Sequence, residues 1–207
     1  MGFNMSFDAL FKHTKPIMPV IVINDINHAV PLARALLNGG IHCLEITLRT
    51  DQGLSAIELI SKQCPDAIVG AGTVCTVEQM KAAKQAGAKF VISPGISAEL
   101  CEAAQSLKIP YAPGVMTPSE IILGLRYGIS LFKLFPADIA GGASMLNALS
   151  GPFPNIKFCP TGGISDKNAH EYFKLENVVA VGGSWVCPAD LILKEDWAGI
   201  EVLAQEA

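Results

Sequence analysis

Apolar and polar residues alternate along this chain in two rhythms. Short β-rich runs, in which every second side chain shares a face, are separated by longer stretches whose apolar residues recur every three or four positions. The runs predict strands at 17–23, 42–48, 67–72, 89–93, 110–112, 130–134, 156–160 and 178–182. Between them lie helical patterns such as "NHAVPLARALLNGG", "DQGLSAIELISKQ", "TVEQMKAAKQAG" and "SAELCEAAQSLK", several with a polar cap at the start and glycine near the end. Phe7, Leu10 and Phe11, at helical spacing, predict a short N-terminal helix before the first strand. Eight strand-then-helix repeats specify an α/β fold of the (β/α)8 TIM-barrel class. A doubly wound open sheet is the alternative, but the one glycine-rich turn, "GAG" at 70–72, continues into "TVCTVEQ" without the third glycine of a dinucleotide fingerprint.

Length and composition narrow this further. The chain has 207 residues, half of them hydrophobic and 16% charged, enough for a substantial core but short for two full domains, so residues 1–207 are read as a single domain. The net charge is −4 and no basic stripe is present, which argues against nucleic acid as a partner and for a small molecule. The longest apolar runs fall short of the roughly 20 residues of a membrane span, and no secretory signal is recognisable at the start, so no membrane association is expected. "MGFNMS" fits the loose N-myristoylation pattern, which is short enough to recur by chance. Six scattered cysteines without CxxC spacing suggest reduced thiols in a cytoplasmic protein.

In a barrel the chemistry gathers at the C-terminal strand ends. In "IHCLEITLRT", Leu44, Ile46 and Leu48 share one face and Cys43, Glu45, Thr47 and Arg49 the other, so Glu45 and Arg49 should point into the barrel mouth. A mutual Glu45–Arg49 ion pair is the plainer alternative. In "SLFKLFPAD", Lys133 shares a face with Leu131 and Phe135, and Phe132 and Leu134 occupy the other, which leaves its ammonium no easy exit to water. A snorkelling lysine is the alternative here. Burial of an amine favours its neutral form, and a neutral amine can attack a ketone to form a Schiff base. Such chemistry needs a proton-transferring group, for which Glu45 serves, and a cation for a substrate carboxylate, for which Arg49 serves. Lysine, glutamate and arginine at strand ends suggest aldol chemistry on a 2-oxo acid.

Two glycine pairs supply the other end of a substrate. "CPTGGIS" follows strand seven with Gly162 and Gly163, and "VGGSWV" follows strand eight with Gly182, Gly183 and Ser184. Loops at these places often hold phosphate through backbone N–H groups, although glycines at strand ends also simply make tight turns.

The motifs "EITLRT", "GAGTV", "ISPG", "FKLFPA", "CPTGGIS" and "GGSW", in this order over nearly the whole chain, resemble the 2-dehydro-3-deoxy-phosphogluconate (KDPG) aldolase family, including members active on 4-hydroxy-2-oxoglutarate (KHG). The resemblance implies a class I, metal-independent aldolase without a cofactor, usually a homotrimer, which splits KDPG into pyruvate and D-glyceraldehyde 3-phosphate in the Entner–Doudoroff route. By motif, Lys133 would be the Schiff-base lysine, Glu45 the proton-transferring residue, and Arg49 with Thr73 the pyruvate-carboxylate contacts. Pro94 and Phe135 would line the pocket, Thr161 would lie beside the aldehyde end, and Gly162, Gly163, Gly183 and Ser184 would hold phosphate. The stretch "APGVMTPSE" departs from the family near Met116, where a different small residue is frequent. His13, His28, His42 and His170 show no paired metal-ligand spacing and are read as surface or packing residues. Two rivals from other classes stay open: a phosphosugar isomerase or epimerase with Glu45 as base, and a non-catalytic phosphometabolite sensor.

Overall fold

The structure is a computed structural model, and it describes residues 14–207. The expected N-terminal helix and His13 lie outside the described residues. The strands are β1 (Ile17–Ile21), β2 (Cys43–Thr47), β3 (Ile68–Gly72), β4 (Val91–Ile92), β5 (Tyr111–Ala112), β6 (Gly114–Val115), β7 (Leu131–Leu134), β8 (Lys157–Phe158) and β9 (Val181–Gly183). The helices are α1 (Ala29–Asn38), α2 (Gly53–Gln63), α3 (Val77–Gln85), α4 (Ala98–Leu107), α5 (Pro118–Arg126), α6 (Gly142–Ser150), α7 (Ala169–Phe173), α8 (Ala189–Leu193) and α9 (Trp197–Glu206), and a 3-10 turn spans Ile26–His28.

Every strand pairing is parallel, as strand–helix alternation requires. Each of the eight expected strand positions carries a strand, most of them shorter than the apolar run. The fifth differs in kind. Pro113 has no N–H to donate, so the ladder is interrupted there and the strand divides into β5 and β6. The Pro113 carbonyl still accepts the Lys133 N–H at 2.9 Å, and Gly114 N–H donates to Ser93 O at 3.0 Å. The hydrogen bonds therefore form a six-stranded sheet, β5-β4-β3-β2-β1-β9, and a three-stranded sheet, β6-β7-β8. Two isolated parallel bridges, Phe158 to Val178 and Thr161 to Gly182, tie the β8 segment to the β9 segment.

Residue parity along the strands sorts side chains between two cores. Leu44 and Ile46 of β2 and Phe132 and Leu134 of β7 join the large cluster under the helices. Cys43 and Leu131, one position away, join a smaller cluster with Met18, Phe90, Ile92, Ala112, Cys159 and Ala180. This inner plug takes residues from β1, β2, β4, β5 and β7, and it fills the space below Glu45 and Lys133. Gly70 makes room for it, since a Cβ there would lie 2.1 Å from the Phe90 ring.

Local signals start and stop the helices that hold this frame. A Thr76–Gln79 capping box opens α3, a Thr117–Glu120 box with Pro118 in the first turn opens α5, and the Ser97 hydroxyl caps α4. Helix α9 packs so closely on α1 that a Cβ on Gly39 would stand 2.3 Å from Ala204 Cβ. Among the described residues no helix is long and apolar enough to cross a membrane.

The inner plug should carry a large share of stability. Phe90→Ala removes a fully buried ring and should lower the unfolding free energy by about 3–5 kcal/mol. Urea titration checks this, and a loss well under 1 kcal/mol would mean that the plug is not a packed core.

Candidate active site

Strand β2 places Glu45, and β7 places Lys133, on the inward face directly above the plug. The register of both follows from their neighbours, because Leu44, Ile46, Phe132 and Leu134 must face the helices. Lys133 Nζ donates to Glu45 Oε1 at 3.2 Å and lies 3.5 Å from Oε2. Glu45 is 1% and Lys133 4% exposed. Lysine therefore does not snorkel, and the anticipated alternative partner of Glu45, Arg49, is engaged elsewhere.

The surroundings shape this ion pair. Gly72 leaves space for the carboxylate, since a Cβ on it would meet Glu45 Oε1 at 2.2 Å. Beside the pair, burial pushes the Cys159 thiol up to about 12, the opposing fields of Lys133 and Glu45 being smaller effects. Burial first, then Cys159 and Glu45, also raises the Cys43 thiol well above its ordinary range. Both cysteines stay neutral and serve as an apolar floor. The Phe135 ring covers the ammonium from above, with its centroid 5.3 Å from Nζ, within range of a cation–π contact. Thr47, buried on the same face as Glu45, donates its hydroxyl to Ile21 O at 2.9 Å and ties β2 to β1.

Arg49, past the end of β2, is exposed and donates from Nε to Thr73 Oγ1 at 3.1 Å. Thr73 adopts φ +58°, a left-handed conformation unusual for a β-branched residue. Strain of this kind costs roughly 1–3 kcal/mol and gathers at functional sites. The two residues expected to act together on a carboxylate are thus in direct contact, close to Glu45 through Gly72.

A cavity of about 730 Å3 opens above, among the loops after β1, β2, β7, β8 and β9. Arg49, Phe135, Thr161, Gly162, Gly163, Gly183 and Ser184 line it, as do Asp25, His28, Trp185 and Ile192. Lys133, Glu45, Thr73 and Pro94 are not in its lining; Lys133 sits below the Phe135 ring that forms part of the wall. Gly162 and Gly163 have φ of +100° and +78°, which only glycine adopts freely. The loops after β7 and β8 are laced together by Ala137 N–H to Thr161 O at 2.8 Å and Asp138 N–H to Gly162 O at 3.0 Å. Thr161 Oγ1 packs on Gly182, where a Cβ would stand 2.2 Å away.

Sequence reasoning missed Asp25, His28 and Trp185. Asp25 caps the 3-10 turn by accepting from Asn27 N–H at 2.9 Å, and His28, expected to be a surface or packing residue, packs edge-on against Trp197, pairs with Glu195 at 3.3 Å and also faces the cavity. The only available signal was position, since the loop after the first strand opens on the same end of the sheet as the other site loops. Among the described residues no three His, Cys, Asp or Glu side chains converge as a metal site would require.

Comparison with known proteins agrees with these motifs. The family model described as "KDPG and KHG aldolase" matches residues 8–203. The 2-dehydro-3-deoxy-phosphogluconate aldolase of Dickeya dadantii is 52% identical over 192 residues, covering 93% of this chain and 90% of that protein. The KHG/KDPG aldolase of Escherichia coli K12 is 48% identical over 194 residues, covering 94% and 91%. The crystal structure of the Legionella pneumophila KDPG aldolase, with pyruvate captured at low pH as a covalent carbinolamine, superposes with a TM-score of 0.94 at 48% identity over 98% of both chains. A family model spanning nearly the whole chain, together with relatives of this identity, shows that the chain belongs to the KDPG and KHG aldolase family.

Proposed function

We propose that the chain is a class I aldolase that cleaves 2-dehydro-3-deoxy-6-phospho-D-gluconate to pyruvate and D-glyceraldehyde 3-phosphate, and that also splits 4-hydroxy-2-oxoglutarate to pyruvate and glyoxylate. The observation that carries this reading is the Lys133–Glu45 contact, an amine and a carboxylate 3.2 Å apart and both buried beneath a cavity. The names of the relatives, one of them bearing both activities, support the choice of substrates. The carbinolamine captured in the Legionella enzyme supports covalent chemistry on an amine.

The reaction follows from these groups. Glu45 takes a proton from the Lys133 ammonium, and the free amine attacks the C2 ketone to give a carbinolamine. Glu45 returns a proton to the C2 hydroxyl, which leaves as water and yields an iminium. Glu45 then takes the C4 hydroxyl proton, directly or through a water. The C3–C4 bond breaks, its electron pair moves into the iminium to form an enamine, and the aldehyde departs. Protonation at C3 and addition of water to the iminium release pyruvate and the amine. Arg49 with Thr73 holds the carboxylate, Pro94 and Phe135 wall the pyruvate end, and Thr161 stands beside the aldehyde. Backbone N–H groups of Gly162, Gly163 and Gly183 and the Ser184 hydroxyl bind phosphate. No metal and no cofactor enters these steps.

The same reading extends to the whole molecule. Residues 1–207 form one aldolase domain, in which β5 and β6 act as a single bent strand and the two sheets work as one (β/α)8 barrel; the Pro113 carbonyl bond to Lys133 and the two bridges to the β9 segment support this closure. A homotrimer is the assembly the family resemblance implies, and Ile139, 78% exposed, offers apolar surface for such a contact. Six free cysteines suit the reducing cytoplasm.

Borohydride added with pyruvate should trap one adduct on Lys133, found by peptide mass, and abolish pyruvate release in a coupled assay. No adduct, or an adduct mapped only to Lys157 or Lys89, would sink the Schiff-base assignment in favour of an isomerase or a sensor.

Glu45→Gln keeps the shape and the hydrogen bond to Lys133 but loses proton transfer. Turnover should fall by about 10²–10⁴-fold with pyruvate binding largely kept. Wild-type turnover in this variant would make Glu45 a structural residue.

Ser184→Asp sets a carboxylate against the phosphate. Because Ser184 is exposed, solvent moderates the repulsion. The expected loss in kcat/KM for KDPG is about tenfold to a hundredfold, with far less change for 4-hydroxy-2-oxoglutarate. Equal losses on both substrates would show that phosphate binds elsewhere.

A further inference from the structure

Behind the β4–β5 edge of the sheet lies a buried polar group that the reaction as described does not use. Ser93 Oγ is 2.6 Å from the Tyr111 hydroxyl and donates to Gly95 O at 2.5 Å; the Tyr111 hydroxyl is also 3.5 Å from Gly95 O. Both side chains are buried. Gly95 O can only accept, and Ser93 Oγ, at 2.5 Å against 3.5 Å for the Tyr111 hydroxyl, is its near donor, which leaves the Tyr111 hydroxyl to donate to Ser93 Oγ. The short contacts run from Tyr111 through Ser93 to the Gly95 carbonyl.

Position shows what this relay holds. Val91 and Tyr111 are register partners and both face the helices, whereas Ile92 and Ala112, the next pair, face the inner plug. Ser93 and Tyr111 thus lie behind the strand ends, outside the barrel mouth. The Ser93–Gly95 turn bends over the edge towards the mouth. There the Pro94 carbonyl presses on Gly114, where an added Cβ would stand 2.2 Å from Pro94 O, and Gly114 is the register partner of Lys133. The turn is gripped from behind by Tyr111 and Ser93 and rests in front on the residue beside Lys133. A phenylalanine would fill the same core volume without a hydroxyl to desolvate.

The geometry points to Tyr111 as a positioning residue that acts through Ser93 to set the Ser93–Gly95 turn, and with it the Pro94 wall of the pyruvate end. The inference rests on the reading of Lys133 as the Schiff-base lysine. The relay lies at the end of the pocket common to all substrates. Its loss therefore weakens pyruvate and both 2-oxo acids alike, in contrast to a change at Ser184.

The test compares the wild type, Tyr111→Phe, Ser93→Ala and the double variant. The readouts are the pyruvate concentration dependence of borohydride inactivation, kcat and KM on both substrates, and Tm. Tyr111→Phe should raise the apparent pyruvate constant about twofold to tenfold, the range expected for one hydrogen bond. It should lower kcat/KM equally for KDPG and 4-hydroxy-2-oxoglutarate, mainly through KM. Ser93→Ala should do at least as much, and the double variant no more than Ser93→Ala, because the two hydroxyls act in series. Unchanged pyruvate constants in Tyr111→Phe, or additive losses in the double variant, would overturn the inference while wild-type trapping still upholds the lysine. Absence of trapping in the wild type would overturn both. If Tyr111→Phe proves unstable, Ser93→Ala carries the same readouts.

Discussion

The buried contact between Lys133 and Glu45 is the constraint around which the rest of the structure is arranged. At 3.2 Å and an effective dielectric of about 20, the attraction is on the order of 5 kcal/mol. Withdrawing each ion from water costs several kcal/mol. The pair therefore adds little net stability, and its presence makes sense as chemistry. What the fold must supply is an apolar floor, which Cys43, Cys159 and the inner plug provide, and room for the carboxylate, which Gly72 provides. Strand parity does the rest. Once Leu44, Ile46, Phe132 and Leu134 face the helices, Glu45 and Lys133 both have to face inward.

The two ends of the site are built by different physics. Around Lys133 and Glu45 the groups are charged side chains on strands, held by packing, with Arg49 touching Thr73 at positive φ. At the far side of the cavity the loops after β7 and β8 carry Gly162 and Gly163 at positive φ and are held together by hydrogen bonds between them. The two ends are therefore built independently, and on the proposed reading a change at one can leave the other intact.

Much of this was legible in the chain because strand periodicity is local. Alternation in "IHCLEITLRT" and "SLFKLFPAD" is enough to assign Glu45 and Lys133 to the inward face, and the glycine pairs mark the loops after the seventh and eighth expected strands. Strand existence was readable for the same reason. Strand ends were less so, since hydrogen-bond ladders stop where a partner stops, and a chain does not display its partner. The division at Pro113 could have been foreseen from the missing donor, but the split into two sheets depends on what β4 and β7 do on either side.

Partnership was decided only in three dimensions. Glu45 had two basic candidates, Arg49 four residues away and Lys133 88 residues away; proximity along the chain favours the first, and the curl of the sheet selects the second. Asp25, His28 and Trp185 reach the cavity because loops distant in sequence converge at one end of the parallel strands. Tyr111 reads in sequence as one more core aromatic, and only the approach of Ser93 and the Gly95 carbonyl gives its hydroxyl a task. The amino-acid sequence by itself determined which residues face inward, because that depends on periods of two and about four residues. Which inward residues meet depends on sheet curvature and loop convergence, which are properties of the assembled fold.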